Sequence, residues 1–87
     1  MRFMRWIDVV RRNIRIELAR AGKSQREAAE MAGISQATFS DRMQRNEGFR
    51  VGELISLAAG LNIPISNFLV DLDEADELAA VDRGVIQ

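Results

Sequence analysis

Two serines eleven residues apart, Ser24 and Ser35, with Gly33 just ahead of the second, constrain this chain more than any other feature. Ser24 is followed three residues later by Glu27, the pattern of a reciprocal capping box at a helix N-terminus. A helix is therefore predicted over Gln25 to Ala32. It stops at Gly33, the residue type that takes a left-handed C-terminal position without steric cost. Ser35 is a second N-cap, and a second helix is predicted from Gln36 to about Arg45. A connection of only three or four residues forces the two helices to cross steeply. Ala28, Ala29 and Ala32 are small enough to let the backbones approach, and Ile34 in the turn fills the gap between them. Phe39 and Met43, four residues apart, form the inner face of the second helix.

The opposite face of that second helix has an unusual composition. Gln36, Ala37, Ser40 and Asp41 gather there, with Thr38 and Arg42 on its flanks. These are short or amide side chains, not the long Glu/Lys mixture of an ordinary solvated helix. Gln can form two hydrogen bonds to adenine in the major groove, Asp can accept from cytosine, and Ala or the Thr methyl can touch the thymine methyl. Short side chains also let the helix axis come near base edges. The unit at 24–45 is read as a helix-turn-helix whose second helix is suited to reading duplex DNA.

Around this unit the chain reads as helical. Ile7, Val10, Ile14, Leu18 and Ala21 recur at spacings of three and four, which predicts a helix over Trp6 to Ala21. Trp6 and Val9 widen the stripe, and Trp6 is expected in the core or as a staple. Arg11, Arg12 and Arg15 are placed on the polar side. After a loop at Asn46 to Arg50, Val51, Leu54, Ile55, Leu57, Ala58 and Leu61 predict a further helix over Val51 to Leu61, most of its apolar face being core. Asn62-Ile63-Pro64 is a stop, and a short fifth helix starts at Ile65 or Ser66 and runs through Leu69. Phe68 is expected to close the core, with a dimer contact as the alternative. Met1 to Arg5 is either a frayed terminus or a basic arm reaching a groove or phosphate.

The ordered set of motifs resembles a known family. Ser24-Gln25-x-x-Ala28-Ala29, then Ala32-Gly33-Ile34-Ser35-Gln36-x-Thr38-Phe39-Ser40, then Leu54-Ile55-x-Leu57-Ala58-x-x-Leu61-Asn62-Ile63-Pro64 is similar to the phage repressor and Cro helix-turn-helix proteins, the lambda-repressor-like domains. The similarity runs from about Ile14 to Leu69. It implies an all-α, compact bundle of about five helices that binds double-stranded DNA as a homodimer at a palindromic operator. It also implies a phosphate contact for Gln25 and base-reading positions at Gln36, Ala37, Ser40 and Asp41. Two domains of function follow, a DNA-binding body at 1–69 and an acidic tail or dimerisation segment at 70–87.

Charge supports the division. The whole chain carries a net charge of −1, which is a poor match to a polyanionic ligand. Up to Arg50, however, eleven cations stand against six carboxylates, a balance of +5; from Val51 onward Arg83 stands alone against seven carboxylates, a balance of −6. A bipolar molecule presents its basic side to phosphates. Lys23, Gln25 and Arg26 sit where a helix N-terminus already favours an anion. With Thr38, Arg42, Arg45, Asn46 and Arg50, they form the expected phosphate-contacting set.

Other functions are disfavoured. The chain has no Cys and no His, so the usual zinc ligands, thiolate sites and the commonest acid–base catalyst are missing, and no metal, cofactor or enzymatic activity is expected. No apolar run approaches the ~20 residues that span a bilayer, and nothing resembles a signal peptide, so a cytoplasmic location is expected. The expectation is a Cro-like or minimal phage-type repressor, since no oligomerisation or cleavage domain is attached. Two alternatives remain at this point. One is the antitoxin of a toxin–antitoxin pair, its acidic segment covering a basic partner protein. The other is a protein-binding module that keeps the same scaffold.

Overall fold

Every predicted helix forms, and the computed structural model describes residues 5–45 and 48–75. The helices are α1 (Trp6–Ala21), α2 (Gln25–Ala32), α3 (Gln36–Gln44) and α4 (Val51–Leu61), followed by two 3₁₀ turns, Ile65–Leu69 and Leu72–Glu74. There is no strand among the described residues. The fifth helix of the expectation is thus the first 3₁₀ turn, entered through Asn62 in the left-handed region (φ 58°) and the extended Pro64.

Local chemistry sets the ends of the central pair. Ser24 Oγ accepts from the Glu27 amide at 3.1 Å, and Glu27 Oε1 accepts from the Ser24 amide at 3.0 Å. Ser35 Oγ accepts from the Thr38 amide at 3.0 Å. Each such cap is worth about 1 kcal/mol because it satisfies an amide with no partner inside the helix. α2 closes at Gly33 (φ 75°), and the amides of Gly33 and Ile34 return to the carbonyls of Glu30 and Ala29. α3 ends one residue before its expected limit, with Arg45 already extended.

The core joins Val10, Ile14 and Leu18 of α1 to Ala28, Ala29 and Ala32 of α2, Phe39 and Met43 of α3, and Leu54, Leu57 and Ala58 of α4. Phe39, Phe68, Ile14, Leu57 and Val9 are wholly enclosed. Full burial of each contributes roughly 1.5–3 kcal/mol. The alanines of α2 serve two neighbours, for α2 packs against α4 even more extensively than against α3. Phe49, from the α3–α4 connection, meets Phe39 edge to face with ring centroids 5.2 Å apart. Nearby Gly48 has φ 69°, and a Cβ there would lie 2.6 Å from Ile7 Cδ1. Only glycine fits that corner.

Several expectations are corrected. Arg11 is buried, not on the polar side of α1, and its Nε donates to the Arg42 carbonyl inside the molecule. Trp6 remains 37% exposed and Ala21 lies at the surface, so the buried stripe of α1 is carried by Ile7, Val9, Val10, Ile14 and Leu18. On α4, Val51 and Ile55 are 68% and 55% exposed. The core takes only the other side of that helix. Phe68 has no exposed surface, so it is core and not a dimer contact.

The packed body also continues beyond Leu69, where the composition turns acidic. Asp71 Oδ2 accepts from Arg12 Nη2 at 3.2 Å, Leu72 packs on the core, and Ala75 is fully buried. Leu72 and Ala75, three residues apart, turn inward, while the adjacent carboxylate is matched by a cation of α1. The expectations for Met1 to Met4, Asn46 and the segment 76–87 lie outside the described residues.

Candidate nucleic-acid interface

The two caps that start α2 and α3 also fix which side chains those helices display. At the first turn of α3, Gln36 and Ala37 are exposed; Ser40, one turn on, is half-buried, and Asp41 is exposed. Of the four expected base-reading residues, Ala37 and Asp41 lie opposite the buried Phe39 and Met43; Ser40 borders that face, and Gln36, seven residues before Met43, stands nearly in line with it and is exposed because it is the first residue of the helix. Asp41 is engaged by Arg45, with Nε of the arginine 3.2 Å from Oδ1. Both side chains are largely in solvent, where such a pair is worth about 0–1 kcal/mol and yields readily to a competing partner.

The expected phosphate set divides. Gln25 and Arg26 are exposed on the first turn of α2. Lys23 precedes them, its Nζ 3.7 Å from Glu27 Oε2 across an open surface. Hydrogen bonds from the Ser24 backbone and then its side chain hold the Glu27 carboxyl below its ordinary pKa, with Lys23 adding to the effect. Its negative charge is thereby committed to the helix N-terminus. Thr38 is half-buried; its Oγ1 accepts from Ser35 Oγ at 2.9 Å, which leaves its own hydroxyl proton to donate outward. Arg45 and Arg50 are exposed at the two ends of the α3–α4 connection.

Arg42 does not belong to that set. Its side chain is 12% exposed, and Nε and Nη2 donate to Glu53 Oε1 and Oε2 at 3.0 and 3.2 Å. The sequence placed Arg42 on the flank of the outer face, but the approach of α4 encloses that flank. Glu53, itself buried, also accepts from the Arg50 amide at 2.9 Å. Burial pushes the Glu53 pKa up, but the bonds from Arg42 and Arg50 outweigh it, and the net shift is downward. The carboxyl is held ionised.

Three interior polar residues were not anticipated as structural elements. Arg11 Nε donates to the Arg42 carbonyl at 2.8 Å, and burial lowers its pKa against the opposing pull of Asp8. Asn13 and Glu17 are buried on α1. A signal existed, since Val9, Asn13 and Glu17 stand four apart on one face. For Glu53 the signal was its place three residues after Arg50, at a helix start.

Only the start of the acidic segment is among the described residues. Asp71 is matched to Arg12 and the Leu72–Glu74 turn packs on α1. Among the described residues no group of three or more carboxylates could hold a metal ion, and no helix is long and apolar enough to cross a membrane. No protein-family model, no curated protein and no solved structure matches the chain.

Proposed function

We propose that this chain is a sequence-specific regulator of transcription that binds double-stranded DNA, a Cro-like or minimal phage-type repressor acting in the cytoplasm. The observation that carries the reading is the outer face of α3. Gln36, Ala37, Ser40 and Asp41 are short or amide side chains that reach solvent on a helix anchored by Phe39 and Met43. Such a helix can approach base edges closely, with Gln36 bonding adenine and Asp41 accepting from cytosine. Lys23, Gln25, Arg26, Thr38, Arg45 and Arg50 supply the sequence-independent contacts to phosphates on either side.

Two copies acting together would present their α3 helices to successive major grooves about 34 Å apart. Val51 and Ile55, exposed one turn apart on α4, support self-association. Repression follows when the bound dimer blocks polymerase from an overlapping promoter.

Titration against duplex DNA at increasing salt tests the reading. Several phosphate contacts predict a linear fall of log K with log salt, with a slope of about −0.9 per phosphate neutralised. Binding that is weak and indifferent to salt would overturn it in favour of a module that binds protein.

A further inference from the structure

The apolar anchors of α3 are few. Phe39 and Met43 are its buried residues, one turn apart on a nine-residue helix. Apolar contact is non-directional, so two such anchors hold the helix against the core and leave its rotation weakly specified. The Arg42–Glu53 pair supplies direction. Its two parallel hydrogen bonds, 3.0 and 3.2 Å, use the planar fork of the guanidinium and join α3 to the first turn of α4. Glu53 is in turn fixed by the Arg50 amide, and Arg11 of α1 takes the Arg42 carbonyl at 2.8 Å. One residue of α3 is thus gripped by its side chain from α4 and by its main chain from α1.

That residue lies away from the base-reading face. At 3.6 residues per turn, Arg42 stands about 140° round the helix from Ala37. A buried ion pair adds little net stability, because removing both charges from water offsets most of their attraction. Geometry is what it can contribute, and a reading surface must be held to within about 0.5 Å and 10–20° to discriminate among ligands.

We propose that Arg42 is a positioning residue: its two-bond grip by Glu53 sets the rotation of α3, and with it the choice among DNA sequences made by Gln36, Ala37, Ser40 and Asp41. The effect on sequence choice rests on the DNA-binding reading; the effect on the pose of α3 does not. Arg42 touches no DNA in this scheme.

Two variants test it. Arg42→Lys keeps the charge and loses the fork. The double variant Arg42→Met/Glu53→Gln removes both charges, and its glutamine can still accept from the Arg50 amide. Each is compared with the unmodified protein for binding to a selected duplex and to a random duplex over a range of salt, and for amide hydrogen exchange without DNA. The expected result is a loss of about tenfold in discrimination between the two duplexes, equivalent to about 1.4 kcal/mol. Random-duplex affinity and salt slope stay the same, and the amides of α3 exchange faster while those of α1 and α4 do not. Equal losses on both duplexes, with a salt slope smaller by about one, would show a direct phosphate contact and overturn the proposal. Unchanged discrimination with unchanged α3 exchange would overturn it too, as would loss of helix content in both variants, which would make the pair a requirement for folding alone. If the unmodified protein prefers no duplex, the DNA-binding reading fails, and α3 exchange in the two variants still decides whether the pair sets its pose.

Discussion

The side-chain amide of Asn13 donates to the carbonyl of Phe68, 55 residues further along the chain, at 2.9 Å, and to the carbonyl of Val70 at 2.8 Å. Both carbonyls belong to the segment that closes the bundle against α1. Within a 3₁₀ turn and its exit these acceptors have no helical partner, so one buried amide on α1 satisfies both.

Replacing Asn13 by alanine strands the Phe68 carbonyl where water reaches it poorly; Val70 is 53% exposed and its carbonyl can turn to water. An unsatisfied buried acceptor costs about 1–3 kcal/mol. Asn13→Ala is expected to lose about 1–3 kcal/mol by that principle, read as a lower urea midpoint at unchanged m-value. A larger apolar residue, Asn13→Leu, should do no better, since it supplies no donor.

The two glycines of α4 should respond oppositely to alanine. Gly52 is exposed, and a Cβ added there would meet nothing within 4 Å, so Gly52→Ala should stabilise by about 0.5–1 kcal/mol through helix propensity. At Gly60 the new Cβ would lie 2.8 Å from Met31 Cβ, at the α2–α4 contact. There the helices must separate, and Gly60→Ala should cost about 1–3 kcal/mol by overpacking. Thermal melts of the two variants, measured together, check the pair.

Acid should weaken the fold partly through Glu53. Its pKa is lowered in the folded chain, so the folded state binds this proton less readily than the unfolded chain, whose glutamates titrate near about 4.3. The stabilisation is fully present above that range and is lost as pH falls through the lower, folded value. Urea midpoints followed from neutral to acid pH should fall more steeply for the natural chain than for Glu53→Gln. At neutral pH the variant should be less stable by up to about 3 kcal/mol, because Arg42 is left without its charged partner.

Much of this architecture was legible because its signals are local. Ser24, Glu27 and Ser35 mark helix starts by chemistry that reaches only three residues, and α1, α2 and α4 fall on their expected bounds. What was not legible depends on contacts between distant segments. Arg42 reads as an outer-face cation until α4 brings Glu53 against it, and Arg11 reads as solvated until the α3 carbonyl reaches it. Asp71 reads as a carboxylate of an acidic tail until the fold brings Arg12 of α1 against it. Charge identifies a side chain as polar; only the fold decides which charges are consumed internally.

Gln36 and Gln25 separate reading from holding. Gln36→Ala is expected to cost about 1–3 kcal/mol on the preferred duplex and to relax preference at one base pair, with little change on random DNA. Gln25→Ala, at the start of α2, should weaken both duplexes alike. Competition binding with the two duplexes distinguishes the outcomes.

Selection of bound sequences from a random duplex pool asks whether the α3 surface reads DNA at all. The expected result is enrichment of a two-fold symmetric sequence whose half-sites lie one helical turn, ~34 Å, apart, and loss of preference at one base pair per half-site when the selection is repeated with Gln36→Ala. A pool that emerges unenriched, or a preference that Gln36→Ala leaves untouched, would contradict it.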